Sequence, residues 1–277
     1  MAYDFSTLPY ETQFNYLLYL PVTDIANYCS VNPHVANICT DDYFWQQKMD
    51  HDFPEISQYK PEDITYQQEL FDLISMSPNT GAEKGRWDVL LYLESQGKLP
   101  DHDGYVAAIK NGYVDVLEWL KSKNINSIPK NRFLVQNNPR VRQEANYAAM
   151  YGQVKVLDWL AQQGIFPDED AIDNAVMYGH INVLEWLEQH EITPQTRPPT
   201  IAFNKAVEKG YLDVLKWLAK YNILPNDLGV ALAAKKNQID ILEWLSTKGI
   251  YPQMSYLDLK YLKPETIQWL KSKNLIK

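Results

Sequence analysis

Cysteine is close to absent: the 277 residues hold only Cys29 and Cys39. Two thiols are too few for the disulfide framework of a small secreted domain, so reduced cysteines in an intracellular compartment are expected. Eleven Gly and 16 Pro are too few for a collagenous or low-complexity chain. No run of about 18 apolar residues occurs, so no transmembrane helix is expected. The opening residues, Met1-Ala2-Tyr3-Asp4-Phe5-Ser6, show neither a basic region nor an apolar run, and no targeting signal is expected. Cationic residues are outnumbered, 26 Lys and Arg against 35 Asp and Glu, which leaves a formal −9 and a pI near 5.1. Such a field repels nucleic acid and anionic membrane, and neither is expected as a partner.

Chemical signatures are missing too. There is no Gly-x-Ser-x-Gly elbow, no phosphate-binding loop and no dinucleotide fingerprint. His34, His51, His102, His180 and His190 have no metal-ligand spacing, and the cysteines do not complement them. No catalytic residue, metal or cofactor is expected, and the chain does not read as an enzyme.

What is present is a core and a repeat. The chain is 45% apolar and 22% charged, which supports a sizeable buried interior. Six of the eight Trp fall in one motif, Gly-x-x-(charged or Asn)-Val-Leu-x-Trp-Leu. Copies run Gly112 to Leu120, Gly152 to Leu160, Gly179 to Leu187 and Gly210 to Leu218. Asn237 to Leu245 starts with Asn, Gly85 to Leu93 carries Tyr92 for Trp, and a worn copy ends at Trp269-Leu270. Four residues before each turn stands Ala108, Ala148, Ala175, Ala206 or Ala233. Each unit therefore predicts a helix with small buried residues, a Gly turn and a second helix. In that second helix Val116, Leu117, Trp119 and Leu120 share one face. Gly or Asn at the turn fits a helix C′ position with φ > 0. A lone hairpin exposes its apolar face and stacked neighbours bury it, so a solenoid is expected. Successive Trp lie 40, 27, 31, 27 and 25 residues apart, which places two insertions, within 122–144 and 191–200, on a unit near 27 residues.

The pattern Ala-x-x-x-Gly-x-x-(acidic)-Val-Leu-x-(Trp/Tyr)-Leu resembles the two-helix half of the ankyrin repeat, over about residues 78 to 277. The period is shorter than the usual 33, and the Thr-Pro-Leu-His tetrapeptide is missing. This style is similar to divergent ankyrin proteins of large DNA viruses. The resemblance implies protein binding on the inner helices and loop tips. Tyr151, Tyr178 and Lys209, just before their turns, are candidate target contacts. Lys130, Arg132, Arg140 and Arg142 fall on the longer insertion in 13 residues without an acid, around Phe133. That segment reads as a solvated loop or as a docking site for an acidic or phosphorylated target.

Residues 1–56 have another texture, with eight acids against Lys48 alone. Phe14, Leu17 and Leu20 form one apolar stripe, Pro21 ends that helix, and Thr23 or Asp24 can cap the next. Leu8-Pro9-x-Glu11, Leu17-x-x-Leu20, Asp24-Ile25, Val31-Asn32 and Phe44-Trp45 resemble the F-box, over residues 5 to 48. Thr12 and Tyr16 depart from it. The resemblance implies a Skp-type adaptor of a cullin–RING ubiquitin ligase as partner, met by Leu8, Pro9, Leu17, Leu20, Ile25 and Val31. The other reading makes this module a structural cap on a scaffold or competitive inhibitor. The expectation is an all-α monomer in cytosol or nucleus, in a host cell if viral. Its parts are an F-box-like unit at 1–56, a linker helix within 57–77 and an ankyrin-like solenoid of about seven units at 78–277.

Overall fold

The computed structural model describes residues 8–125, 139–194 and 200–277. Lys130, Arg132 and Phe133 lie outside the described residues, as does the side chain of Arg140. The described residues form helices and connecting turns, with no strand among them. The all-α expectation therefore holds. The chain divides into two compact units, residues 1–108 with 115–126, and residues 109–114 with 127–277.

The first unit opens with α1 (Tyr10–Leu18), α2 (Val22–Val31), the short α3 (Ala36–Cys39) and α4 (Asp42–Asp52). Pro9 and Pro21 occupy the N-cap positions of α1 and α2, where a missing N–H costs nothing. Thr23 and Asp24 therefore sit inside the first turn of α2 rather than capping it. Asp41 caps α4 by accepting from Tyr43 N at 3.0 Å. Then follow α5 (Tyr66–Ser75), α6 (Pro78–Lys84), α7 (Trp87–Ser95), α8 (His102–Asn111) and α9 (Val114–Ser122). Thr65 and Ser77 cap α5 and α6 through their hydroxyls. One apolar core runs through the module and beyond it, from Leu17, Ile25, Phe44 and Trp45 to Leu70 and Leu73 of α5 and Val89 and Leu93 of α7. Each such side chain contributes about 1.5–3 kcal/mol relative to exposure.

One expectation is corrected in this unit. Cys29 and Cys39 are joined in a disulfide, with Cα atoms 6.0 Å apart. The turn at Pro33–Val35 folds α3 back onto α2 and brings the two sulfurs together. A count of cysteines carries no information about that turn.

The second unit stacks helical hairpins. Their first helices are α10 (Pro139–Met150), α12 (Asp170–Tyr178), α14 (Thr200–Lys209) and α16 (Asp227–Lys235). The second helices are α11 (Val154–Gln162), α13 (Ile181–Gln189), α15 (Leu212–Lys220) and α17 (Ile239–Ser246), and α18 (Pro264–Ser272) closes the chain. First helices pack on first helices, and α11, α13 and α15 pack in sequence. The small residues before each turn are the reason they pack closely: Ala148, Ala149, Ala175, Val176, Ala206, Val207, Ala233 and Ala234 are all fully buried. Val, Leu and Leu of α11, α13 and α15, and Ile241, Leu242 and Leu245 of α17, fill the interior between hairpins; Trp159, Trp186, Trp217 and Trp269 are buried as expected, whereas Trp119 and Trp244 are half-buried. No helix among the described residues is long and apolar enough to cross a membrane.

Candidate functional site

Two ladders align the hairpins. The first runs through the turns. The residue after Gly152, Gly179, Gly210 or Asn237 reaches back over the Gly of the hairpin before it. Gln153 Nε2 donates to Lys110 O at 2.8 Å, and Gln238 Nε2 donates to Glu208 O at 2.7 Å. A His180 ring nitrogen lies 3.0 Å from Met150 O in the same relation. The second ladder runs through the Trp indoles. Trp119 donates to Glu94 at 3.2 Å, Trp186 to Asp158 at 2.6 Å, Trp217 to Glu188 at 2.9 Å and Trp269 to Glu243 at 2.7 Å. Each acceptor belongs to the hairpin before the donor. Glu94, Glu188 and Glu243 also bind a lysine from the donor's own helix end, Lys123, Lys220 and Lys273.

These ladders hold the first helices in common register, so their outward positions form a face. That face has a varying composition over a constant frame. On α10 it shows Gln143, Tyr147, Met150 and Tyr151, with Lys110 Nζ placed 5.5 Å from the Tyr151 ring centre. The same positions on α12 are Asp170, Asn174, Met177 and Tyr178, whose ring stacks on His180. They become Ile201, Lys205, Glu208 and Lys209 on α14, then Leu228, Leu232, Lys235 and Lys236 on α16. Tyr151, Tyr178 and Lys209 are all exposed here. Met and Tyr offer adaptable apolar contact with a polar tip, which suits protein recognition. Arg142 sits apart at the start of α10, with Gln143, Asn146, Asp168 and Asp170 around a shallow depression.

The residues proposed to meet an adaptor are not brought to one surface. Leu17 and Ile25 are fully buried in the unit's own core. Leu8 and Leu20 are half-buried, while Pro9 is exposed and Val31 is 79% exposed. The module presents aromatic groups instead. Tyr10 and Tyr43 are exposed on either side of Phe14, at ring distances of 6.1 and 6.3 Å.

One cluster escaped the sequence reading. Arg86, between α6 and α7, bonds three carboxyl groups: Glu69 and Asp72 of α5, and Asp88 at 2.6 Å. Burial, then the facing Asp88, push the Glu69 carboxyl up to about 9, so it keeps its proton at neutral pH. Burial opposes ionisation of Asp88 as well, but hydrogen bonds from Arg86 outweigh it and hold Asp88 below the usual carboxylate range. The available signal was a pair of acids at i, i+3 inside the apolar stripe of α5. A groove of about 820 Å³ lies in the same unit, between residues 52–59 and the end of α7, walled by Phe53, Ile56, Tyr59 and Tyr92. No group of three or more His, Cys, Asp or Glu able to hold a metal occurs among the described residues.

Residues 146–188 match the model of the family described as ankyrin repeats (many copies). That stretch begins within α10 and ends within α13, so it contains the Tyr151 and Tyr178 turns. The repeats in it are ankyrin-type, and such repeats have a protein-binding role. No curated protein matches the chain. Among solved structures it is similar to the pentatricopeptide repeat protein PPR10 in complex with an 18-nt psaJ RNA element, at 12% identity and a TM-score of 0.29. A cysteine-to-serine variant of that complex gives the same values. The match covers 99% of this chain and 52% of the other, so the chain spans about half the length of that protein. A likeness at that TM-score carries no argument about function.

Proposed function

We propose that the chain is a two-part, non-catalytic adaptor. The face of the first helices holds a target protein, and the N-terminal module binds a Skp-type adaptor of a cullin–RING ubiquitin ligase. No covalent step occurs on this chain; its contribution is the effective concentration of target beside the ligase. The observation that carries the target half is the face itself. Its residues differ from hairpin to hairpin while the buried frame beneath stays constant. The adaptor half is supported by the F-box-like pattern of residues 5 to 48. Its contacts are best sought at exposed positions, Pro9, Tyr10, Val31 and Tyr43, because Leu17 and Ile25 hold the module together. A place of action in cytosol or nucleus, in a host cell if viral, follows from the ligase reading alone, because the Cys29–Cys39 bond removes the support drawn from reduced cysteines.

The test is a pull-down with purified Skp-type adaptor, using wild type and Val31→Asp. Binding by wild type that Val31→Asp abolishes, with circular dichroism unchanged, supports the adaptor. A folded wild type that does not bind sinks it. A specific observation favours the second reading, a structural cap: the module shares one core with α5 and α7. A cap predicts that deleting residues 1–56 melts the first hairpin.

A further inference from the structure

The binding face changes character between α12 and α14. Ile201 is 75% exposed and Leu228 is 58% exposed. Both stand nine residues before their turn, where α10 and α12 carry Gln143 and Asp170. The packing of the hairpins does not require an apolar residue there. In each case the next two residues, Ala202 and Phe203 or Gly229 and Val230, do the packing and are buried. Two aliphatic side chains at one register of adjacent, packed helices form an apolar strip open to water.

Lysines lie on the turn side of that strip: Lys205 is four residues beyond Ile201 and Lys209 eight, while Lys235 and Lys236 are seven and eight beyond Leu228, about 6–12 Å along the helices. Asp227, next to Leu228, accepts from Gln253 Nε2 at 2.7 Å. Lys205, Lys209, Lys235 and Lys236 lie on the same two helix faces, and Glu208 is the one acid among the four face positions of each. Lys236 and Lys205 already hold Glu208, at 2.8 and 3.7 Å. The face therefore keeps a surplus of positive charge in a chain of formal charge −9. The first unit carries 19 carboxylates against 7 Lys and Arg, a formal −12, whereas the second carries 16 against 19, a formal +3.

We propose that the α14–α16 face docks an acidic amphipathic segment of the target. Ile201 and Leu228 receive its apolar side chains, and Lys205, Lys209, Lys235 and Lys236 pair with its carboxylates. This rests on the target-binding reading above and names the chemistry of the target. Packed helices lie about 8–10 Å apart. A helix rises 1.5 Å per residue, so its residues i and i+7 are about 10.5 Å apart. A partner helix crossing α14 and α16 can thus set two apolar residues, i and i+7, on Ile201 and Leu228. Acids on its flank nearer the turns then reach the lysines. Aliphatic anchors favour a peptide over nucleic acid, whose backbone offers charge without an apolar ridge.

The probe is a fluorescein-labelled helical peptide of Leu at i, i+4, i+7 and i+11 with Glu between, read by anisotropy on the full chain. Binding is expected in the micromolar range, weakening several-fold between about 50 and about 300 mM salt. Leu228→Glu and the pair Lys209→Glu/Lys236→Glu should each weaken it at least about tenfold, with unchanged circular dichroism and Tm. Tyr19→Ser, at an exposed position after α1 and away from that face, should leave it within about twofold. The inference is overturned if wild type does not bind, if a Glu→Gln peptide binds equally well, or if Leu228→Glu has no effect. It is also overturned if duplex DNA or RNA binds the face more tightly than the peptide. Concentration-dependent dimerisation that Leu228→Glu abolishes would assign the face to a second copy and overturn it too. Failure here leaves the adaptor pull-down with Val31→Asp untouched, so the two readings fail separately.

Discussion

Tyr211 lies across Gly179, so close that a Cβ on Gly179 would stand 2.7 Å from Tyr211 Cε2. The same glycine has φ of +80°. Gly179 is thus constrained twice, by its own backbone and by the next hairpin. Gly179→Ala should destabilise the protein by about 2–4 kcal/mol, from a left-handed residue plus a steric shift. Gly249 is the control, since its φ is +73° and nothing lies within 4 Å of its Cβ position. Gly249→Ala should cost about 1 kcal/mol. Urea denaturation of both variants checks this; equal losses would show that the interhairpin contact is unimportant.

The indole ladder is expected to be energetic. Trp217→Phe and Glu188→Gln, alone and together, form a cycle. A coupling of about 1 kcal/mol is expected for a hydrogen bond to a partly exposed carboxylate. Ahead of Trp244 the two registers that supply acceptors elsewhere hold Lys216 and Ala219. Lys216→Glu should therefore extend the ladder and raise stability by about 0.5 kcal/mol. A drop in Tm for that variant would mean that the register is wrong.

The Arg86 cluster should leave a pH signature. Glu69 is raised to about 9 in the fold from an ordinary value of 4.5. The native state then holds a proton that the unfolded chain releases above about pH 4.5. Its contribution is complete below that pH, falls as pH rises, and is gone above about 9. Glu69→Gln needs no proton, so its stability relative to wild type should rise between pH 5 and 9, by about 1–3 kcal/mol at pH 8. Parallel stability curves for the two proteins would show that Glu69 is ionised.

The Cys29–Cys39 bond closes a short loop between α2 and α3. Denatured, unreduced protein should show no reactive thiol, and two after reduction. Reduction should lower stability by about 2–3 kcal/mol on chain-entropy grounds. Two free thiols before reduction would contradict the bond.

Much of this architecture was legible because its markers are rare residues at constant spacing. Trp and Gly located the second helices and turns. Asn237, standing where the other copies have Gly, has φ of +58° and confirms the reading of that position. The carboxylates of the ladder stayed hidden because they alternate between two registers. Asp158 and Glu243 precede their Trp, whereas Glu188 follows Trp186 by two. Both registers face the next hairpin, but no single motif contains them. In the N-terminal module the pattern found apolar residues without showing which faced outward. Leu17 and Val31 look alike as letters, yet one is fully buried and the other open to water.

Local physics in the sequence determined the helices, their turns and the stacking of hairpins, because each of those depends on residues a few positions apart. Tertiary structure alone decided the rest. It decided that Arg86 gathers three carboxyl groups, that Cys29 meets Cys39, and that Ile201 and Leu228 are exposed at one register of two packed helices. Those relations join residues whose distance apart is set by how helices pack, and sequence spacing carries no measure of that distance.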